Sequence, residues 1–424
     1  MDRYNLSAVE QQIRGQFFRP DDPDALGKMG TLATAFLVTY MLTAPLFGWL
    51  ADRTRRWLII GIGVTLWSLA TGACGLSTSF TMLLLCRVLV GVGEGAWGPT
   101  APTLIADMYP VSRRGAVLAW FNIALSVGSA LGFMVGGAVA AWKGWPWAFF
   151  VLAPPGLLLG ILSFLRKDPP RGGADGGGAS RRFRMSDVRV LVRTRSYILN
   201  TLGMAAQTFG VGGMSFWMVT YIHEVRMNGH VGDPGFDAVH AHVNFQFGAI
   251  TASMGLVGTL VGGYLADWLR TRIKGAYFTL SGVSMLLAVP AFAGVLLLPL
   301  PLAWWAMGAA IFLIFMNTGP TNTVIANVTP APVRATAFAL NILIIHLFGD
   351  AVSPPIIGAI SDHFGKTEML ADPATGAMVA HRVANMNAGF AVVGLAMALA
   401  GVFWLFGAKF LDRDTESAPA KLAP

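Results

Sequence analysis

Charge is scarce in this 424-residue chain. Asp, Glu, Lys and Arg make up 12% of it, against 54% apolar residues and a mean hydropathy of +0.59. A soluble domain carries about one-quarter charged residues, so the sequence is built for a solvent other than water. Cysteine is nearly absent: Cys74 and Cys86 both sit inside apolar runs. They offer neither a disulfide framework nor metal-type spacing, and read as small packing residues. No HExxH, nucleophile elbow or phosphate loop occurs, so nothing in the sequence points to an enzyme, a metal or a cofactor. The net charge of +8 would suit nucleic acid, but its distribution decides otherwise.

What is present is a series of long apolar runs near 28–50, 57–77, 80–108, 115–142 and 146–165. They resume near 196–222, 243–266, 275–299, 302–328, 335–361 and 386–411. Each approaches or exceeds the about 20 residues a spanning helix needs. They are too long and too continuously apolar for barrel strands, so an all-α integral membrane protein follows. Assigning alternate loops to one side places 21 of the 30 Lys and Arg there, including Arg53, Arg55, Arg56, Arg113, Arg114, Arg270, Arg272 and Lys274. That side is cytoplasmic by the positive-inside rule. The charge is topological, and the nucleic-acid reading falls away.

Residues 171–180 are rich in Gly and form a flexible linker. The next stretch mixes Phe183, Val188, Leu191 and Val192 with six arginines between Arg181 and Arg195. It reads either as a basic helix lying on the cytoplasmic leaflet or as a solvated loop. The expected organisation is an N-terminal bundle at 1–166, a linker at 167–195, a C-terminal bundle at 196–411 and a tail at 412–424. The two bundles carry copies of each other's sequence. Thr103, Ile105, Ala106, Asp107, Pro110 and Arg114 recur as Thr323, Ile325, Ala326, Asn327, Pro330 and Arg334, all offset by 220. Gly48, Leu50, Ala51 and Asp52 recur as Gly263, Leu265, Ala266 and Asp267. Repeats packed about a central site are the logic of alternating access. A six-plus-six repeat makes residues 1–13 the C-terminal part of a first helix, because an eleven-helix protein would break it.

The stretch Gly48-Trp-Leu-Ala-Asp52-Arg53-Thr-Arg55-Arg56 resembles the major facilitator signature. Met1-Asp-Arg-Tyr4, Arg87 to Glu94, Ala101 to Asp107 and His346 to Pro354 resemble the Spinster branch of that family, over nearly the whole chain. The resemblance implies a fold of two six-helix pseudo-repeat bundles. It implies a monomeric bacterial inner-membrane carrier of lysophospholipids or phosphorylated sphingoid lipids, with proton coupling. A symporter of small organic anions is the alternative. The resemblance also implies that Asp52, with Arg53, Arg56, Arg113 and Arg114, latches the cytoplasmic side, and that Asp267 and Arg270 act similarly.

The residues themselves support candidate sites. Arg87 and Glu94 are seven apart, so on a helix they differ by about 20° in direction and roughly 10 Å in height. A charge at mid-membrane costs about 2.5–3.5 kcal/mol and marks a functional site by default. Asp2 and Arg3 complete a set of four charges able to neutralise one another. Glu94 and Asp2 are the candidate proton carriers, as a coupled pair if they lie close together. Arg87 is their partner and a possible anion contact. His346 and Asp350 are i and i+4 and can pair. Asn122 and Asn341 occupy near-equivalent places in the repeat and either bind neighbouring helices or line a cavity. Phe209, Phe216, Trp217, Tyr221, Phe312 and Phe315 outnumber Asn317, Thr318 and Asn322 along two segments that, by the resemblance, flank the cavity. That balance favours an amphipathic solute over a sugar. His223, His230, His240 and His242 gather near an outer loop and read as solvated histidines rather than a metal site. Gly128, Gly132, Gly136 and Gly137 give one helix a small, closely packable face.

Overall fold

The computed structural model describes residues 1–51, 53–108, 111–169, 188–229, 233–330, 333–371 and 378–418. Side chains at 103, 106, 111–123, 125–126, 188, 334–335, 370–371, 379 and 381 also lie outside the described set. Asp52, Arg113, Arg114, Asn122, His230 and the linker at 171–180 therefore fall outside the description.

The chain is helical almost throughout. The first half comprises α1 (Asp2–Ala8), α2 (Glu10–Phe17), α3 (Ala25–Ala51), α4 (Arg56–Gly75), α5 (Phe80–Met108), α6 (Val111–Lys143), α7 (Trp145–Phe150) and α8 (Ala153–Phe164). The second half contains α9 (Val188–Arg193), α10 (Arg195–Thr220), a π-helical turn (Tyr221–Arg226), α11 (Phe236–Arg270) and α12 (Ala276–Leu297). It continues with α13 (Leu300–Phe315), α14 (Thr318–Val328), α15 (Arg334–Ile345), a second π-helical turn (His346–Asp350), α16 (Ser353–His363) and α17 (Met386–Ser417). Nine helical stretches among the described residues are long and apolar enough to cross a membrane. α6 and α10 are long as well, at 33 and 26 residues. Pro45, Pro99, Pro102 and Pro290 lie inside helices, which membrane helices tolerate because neighbours re-satisfy the freed carbonyls.

The helices are held together by close backbone approach rather than by expulsion of water, since lipid tails are as apolar as leucine. α3 meets α5 at Gly91, where a Cβ would lie 2.3 Å from the Phe36 carbonyl oxygen and 2.1 Å from Thr39 Oγ1. The glycine face of α6 receives α1. A Cβ on Gly132 would lie 2.5 Å from the Met1 carbonyl oxygen, and one on Gly136 2.4 Å from Asn5 Oδ1. Large apolar side chains such as Leu42, Leu46, Leu159, Leu260, Trp305 and Leu399 point outward, as a lipid-facing surface requires.

Two compact units result. One comprises Met1–Ala179, Ser215–Ala249 and Pro354–Gly389; the other comprises Ser180–Met214, Ile250–Ser353 and Phe390–Pro424. Residues 366–383 form two antiparallel strands, β1 (Lys366–Ala371) and β2 (Met378–Val383), with Lys366 opposite Val383. Arg382 fastens this hairpin within the first unit: its N–H donates to the Pro20 carbonyl at 2.7 Å, and its Nη2 to the Asp362 carbonyl at 2.6 Å. In the second unit Leu191 of α9 is buried while Val192 is exposed. The short basic helix thus seats one apolar side chain in protein.

Candidate functional site

α1 places Asp2 and Arg3 on consecutive positions. α5 supplies Arg87 and Glu94 two turns apart, on a face that α1 reaches. The four charges form two ion pairs. Arg87 Nη1 donates to Asp2 Oδ2 at 2.8 Å, and Arg3 Nη2 donates to Glu94 Oε1 at 3.1 Å. Thr71 Oγ1 of α4 gives Asp2 a second donor at 3.2 Å. Each carboxylate thus has its own guanidinium, which differs from a carboxyl pair sharing one proton. Phe36 lies beneath both guanidinium groups, 4.6 Å from Arg3 and 5.0 Å from Arg87, so each cation also meets an aromatic face.

The two pairs differ in hydration. The Arg87 side chain is 1% exposed, whereas Arg3 and Glu94 are 33% and 24% exposed. Glu94 opens onto a cleft of about 530 Å³ whose walls include Trp57, Val64, Trp67 and Trp97. The arrangement therefore combines a drier ion pair, in which Asp2 is 18% exposed, with a wetter one, on helices that touch. A carboxylate in the dry pair can lose its partner only by taking up a proton or by rehydrating.

In the second unit the helices are interrupted where polar residues sit. Asn317 marks the break between α13 and α14 and is fully buried. Neither atom of its amide has a hydrogen-bond partner among the described residues. Asn341 is buried too, its Nδ2 3.5 Å from Met204 Sδ. Asn200, which sequence reasoning passed over, joins the same sulfur at 3.5 Å and donates to the Thr321 carbonyl at 3.0 Å. His346 Nδ1 lies 2.9 Å from Asp350 Oδ1 across the π-helical turn. That turn is seated on α10, where Cβ atoms added at Gly349 or Gly212 would strike Thr208 and Asp350.

The other expected contacts are distributed unevenly. Phe209, Phe312 and Phe315 are half-buried. Asn322 is exposed and donates to the Thr318 carbonyl of its own helix at 2.8 Å. Trp217 is wholly buried and its indole N–H donates to the Pro354 carbonyl at 2.9 Å. Phe216 packs edge-on against it, and Tyr221 donates to Asn387 Oδ1 at 2.8 Å. In this arrangement Trp217, Phe216 and Tyr221 are packing residues.

Of the expected latch residues, Arg53 is exposed and lies over the Trp49 ring at 4.2 Å. Arg56 is buried and bridges α4 to Asp107 of α5 and to Asp168. Its Nη2 also donates to the Pro169 carbonyl at 3.1 Å. The partners lie 51 and 112 positions away along the chain, beyond the reach of any local pattern. Asp267 accepts from the Tyr277 hydroxyl at 2.8 Å, and it and Arg270 are exposed.

The outer histidines overturn an expectation. His242 is exposed, but His223 and His240 are 2% and 1% exposed and face each other. Their solvated-loop reading fails because α2 and Phe236 cover them. Among the described residues no group of three or more His, Cys, Asp and Glu is placed to hold a metal ion.

The Major Facilitator Superfamily profile matches residues 23–349. The chain is 35% identical over 379 residues to Protein spinster homolog 3 of Danio rerio, covering 86% of this chain and 74% of that protein. It is 32% identical over 431 residues to the Sphingosine-1-phosphate transporter SPNS2 of Danio rerio, covering 99% and 83%. Among solved structures, a bacterial homolog of the human lysosomal transporter Spinster superposes with a TM-score of 0.78 at 23% identity, covering 99% and 94% of the two chains. A D-xylose–proton symporter superposes with a TM-score of 0.70 at 16% identity, covering 95% and 93%. The protein is a multi-pass membrane transporter of the Major Facilitator Superfamily, not an enzyme. Within that superfamily the chain belongs to the Spinster branch.

Proposed function

We propose that the chain is a proton-coupled, alternating-access carrier of an amphipathic, lipid-like solute of the lysophospholipid or sphingoid-phosphate class. The observation that carries the coupling is the buried quartet. Stability alone would be served as well by apolar side chains, so two ion pairs within a membrane-spanning bundle, one drier and one open to a cleft, argue for charges that must change. Glu94, which opens onto the cleft of about 530 Å³, exchanges the proton. Asp2 responds through Arg87, and Arg3 follows Glu94. Protonating Glu94 releases Arg3, whose guanidinium then suits a phosphate or carboxylate headgroup.

The solute class is supported by chemistry and by kinship. The second unit offers few polar side chains, chiefly Asn317, Asn341 and His346, among half-buried aromatics such as Phe209, Phe312 and Phe315. The unsatisfied Asn317 amide costs about 1–3 kcal/mol, which a headgroup would recover. One relative carries sphingosine-1-phosphate in its name. The remaining assignments follow: two bundles at 1–166 and 196–411, a cytoplasmic linker and tail, a monomer in a bacterial inner membrane, and cytoplasmic gating by Asp52, Arg53, Arg56, Arg113, Arg114, Asp267, Arg270 and Asp350.

The test is uptake into proteoliposomes from a panel of lysolipids, sphingoid phosphates and small organic anions, with and without a pH gradient. Gradient-dependent uptake of a lysolipid or sphingoid phosphate is expected. Uptake confined to organic anions would sink the solute assignment, and uptake indifferent to the gradient would sink the coupling.

A further inference from the structure

The internal repeat contains a place where its two copies differ. α4 begins at Arg56 and α12 at Ala276, while α5 ends at Met108 and α14 at Val328, so one offset of 220 relates these helix ends (276 − 56 = 328 − 108). By that offset Ala276 stands for Arg56, Tyr277 for Trp57 and Asn327 for Asp107. In the first half the Arg56 guanidinium occupies the space between α4 and α5, paired with Asp107 and Asp168. Asp168 also accepts from the Trp57 N–H at 3.0 Å, at the start of α4. In the second half Asp412 of α17 takes that capping place, accepting from the Gly275 N–H at 3.3 Å. The guanidinium, however, is replaced by the methyl group of Ala276, and the acid at 107 by the neutral Asn327. A cavity of about 430 Å³ results, with Ala276, Asn327 and Asp412 in its wall.

The charge around this space changes too. Three residues separate Asp52 from Arg56 and eight separate Asp267 from Ala276, so the second loop is five residues longer. It brings Arg270, Arg272 and Lys274, all exposed, to the cavity wall. Two carboxylates share the lining, Asp412 and Glu416. Asp412 is turned to the Gly275 N–H, with both oxygens at 3.3 Å. One cation held between two acids thus becomes an open space with three cations against two acids, one of which caps backbone. Forked guanidinium donors, an ammonium and the Asn327 amide suit an anion with several acceptor oxygens, which is the chemistry of a phosphate.

The edge of the cavity continues into a lipid-type surface. Arg272 lies over the Trp268 ring at 3.7 Å, and its Nη1 donates to the Trp268 carbonyl at 3.0 Å. Leu260, Tyr264 and Trp268 are spaced four apart on α11 and all are exposed, so a single stripe runs from Arg272 back along the spanning helix. We propose that the cavity binds the phosphate of an anionic phospholipid, whose chains lie along the Leu260–Tyr264–Trp268 stripe. Basic pockets at the cytoplasmic ends of spanning helices hold such headgroups. The stripe selects a lipid over a free phosphate ion, which would gain the cations alone. The site is separate from the quartet and depends on neither the transported solute nor proton coupling.

The test titrates the full chain in detergent with dioleoylphosphatidylglycerol or dioleoylphosphatidylcholine and follows bound lipid by native mass spectrometry. Phosphatidylglycerol should bind more tightly than phosphatidylcholine. Arg272→Gln and Lys274→Gln, both at exposed positions, should each weaken it about fivefold. Ala276→Arg/Asn327→Asp rebuilds the arrangement of the first half, and should remove the preference for phosphatidylglycerol while keeping the parent's melting temperature. Arg53→Gln, at an exposed cation of the first-half loop, should leave binding unchanged, which separates a defined site from diffuse surface charge. Equal affinity for the two lipids overturns the proposal, as does phosphatidylglycerol binding that survives both glutamine variants or falls equally in Arg53→Gln. Inorganic phosphate that displaces the lipid beyond the effect of sodium chloride at equal ionic strength would mark a free-anion site and refute the lipid assignment.

Discussion

Removing the guanidinium of Arg87 separates what the buried pair does for stability from what it does for transport. Arg87 is 1% exposed and donates to Asp2 at 2.8 Å. In Arg87→Met, the hydrogen bond left to Asp2 among the described residues is from the Thr71 hydroxyl at 3.2 Å, a neutral one contributing about 1 kcal/mol. Stranding one member of a buried ion pair costs about 3–5 kcal/mol, so Thr71 cannot hold the charge. Asp2 then takes up a proton or the unit loosens. The Arg87–Phe36 contact at 5.0 Å is lost too, adding about 0.5–2 kcal/mol. In Asp2→Leu/Arg87→Met both charges go, and apolar replacement of a buried pair is about neutral or stabilising. Unfolding in detergent should therefore show the single variant well below the parent and the double variant within about 1 kcal/mol of it. Gradient-driven uptake should be lost in both. A double variant as unstable as the single would make the pair a structural device. A double variant that still transports against a gradient would refute its role in coupling.

Glu94→Gln should abolish accumulation driven by a pH gradient while sparing solute exchange at equal concentrations; full gradient-driven uptake would remove Glu94 from the proton path. Arg56→Ala leaves Asp107 and Asp168 without their shared partner and should cost about 3 kcal/mol or more. Exposed Arg53→Ala should stay within about 0.5 kcal/mol, and similar unfolding of the two variants would contradict the assignment. Gly91→Val drives methyl groups into the Phe36 carbonyl and should prevent α3 and α5 from seating. Gly394→Ala, which meets nothing within 4 Å, should express normally. A cysteine at position 175 should resist impermeant reagent in intact cells, and labelling there would reverse the topology.

Arg87 and Glu94 were legible because each stands against apolar sequence, and because seven residues return a helix to nearly the same face. Asp2 and Arg3, in a polar stretch, were legible only through the resemblance of residues 1–4 to the family. The partner assignments were not. Which carboxylate meets which arginine depends on how far α1 sinks onto the glycine face of α6, a matter of Gly132 and Gly136 rather than of charge. The Arg56 network escaped because Asp107 and Asp168 approach it only through tertiary packing. Aromatic residues on a helix apolar all round carry no phase. Trp217 and Phe209 therefore read alike, although one is buried against Pro354 and the other is half-buried. His223 and His240 sit among Asn228, Gly229, Asp233 and Gly235, the composition of a solvated loop. Their cover comes from Gln11 and Ala8, more than two hundred positions earlier, and no window along the chain contains both.

The quartet and the buried His223–His240 contact both touch the same short segment. Asp2 and Arg3 open α1, and Ala8 closes it; Gln11 lies in the first turn of α2. At 1.5 Å per residue, Asp2 and Ala8 are about 9 Å apart along one rigid rod. The rod is braced at Gly132 and Gly136, where α6 leaves no room for a methyl group, so it can slide or tilt but not bend freely. The chain turns at Val9, whose φ of −120° and ψ of 12° end the helix between the two clusters. A tilt that draws Asp2 from Arg87 therefore also shifts the Ala8 carbonyl, which holds His240 and Asn244 together.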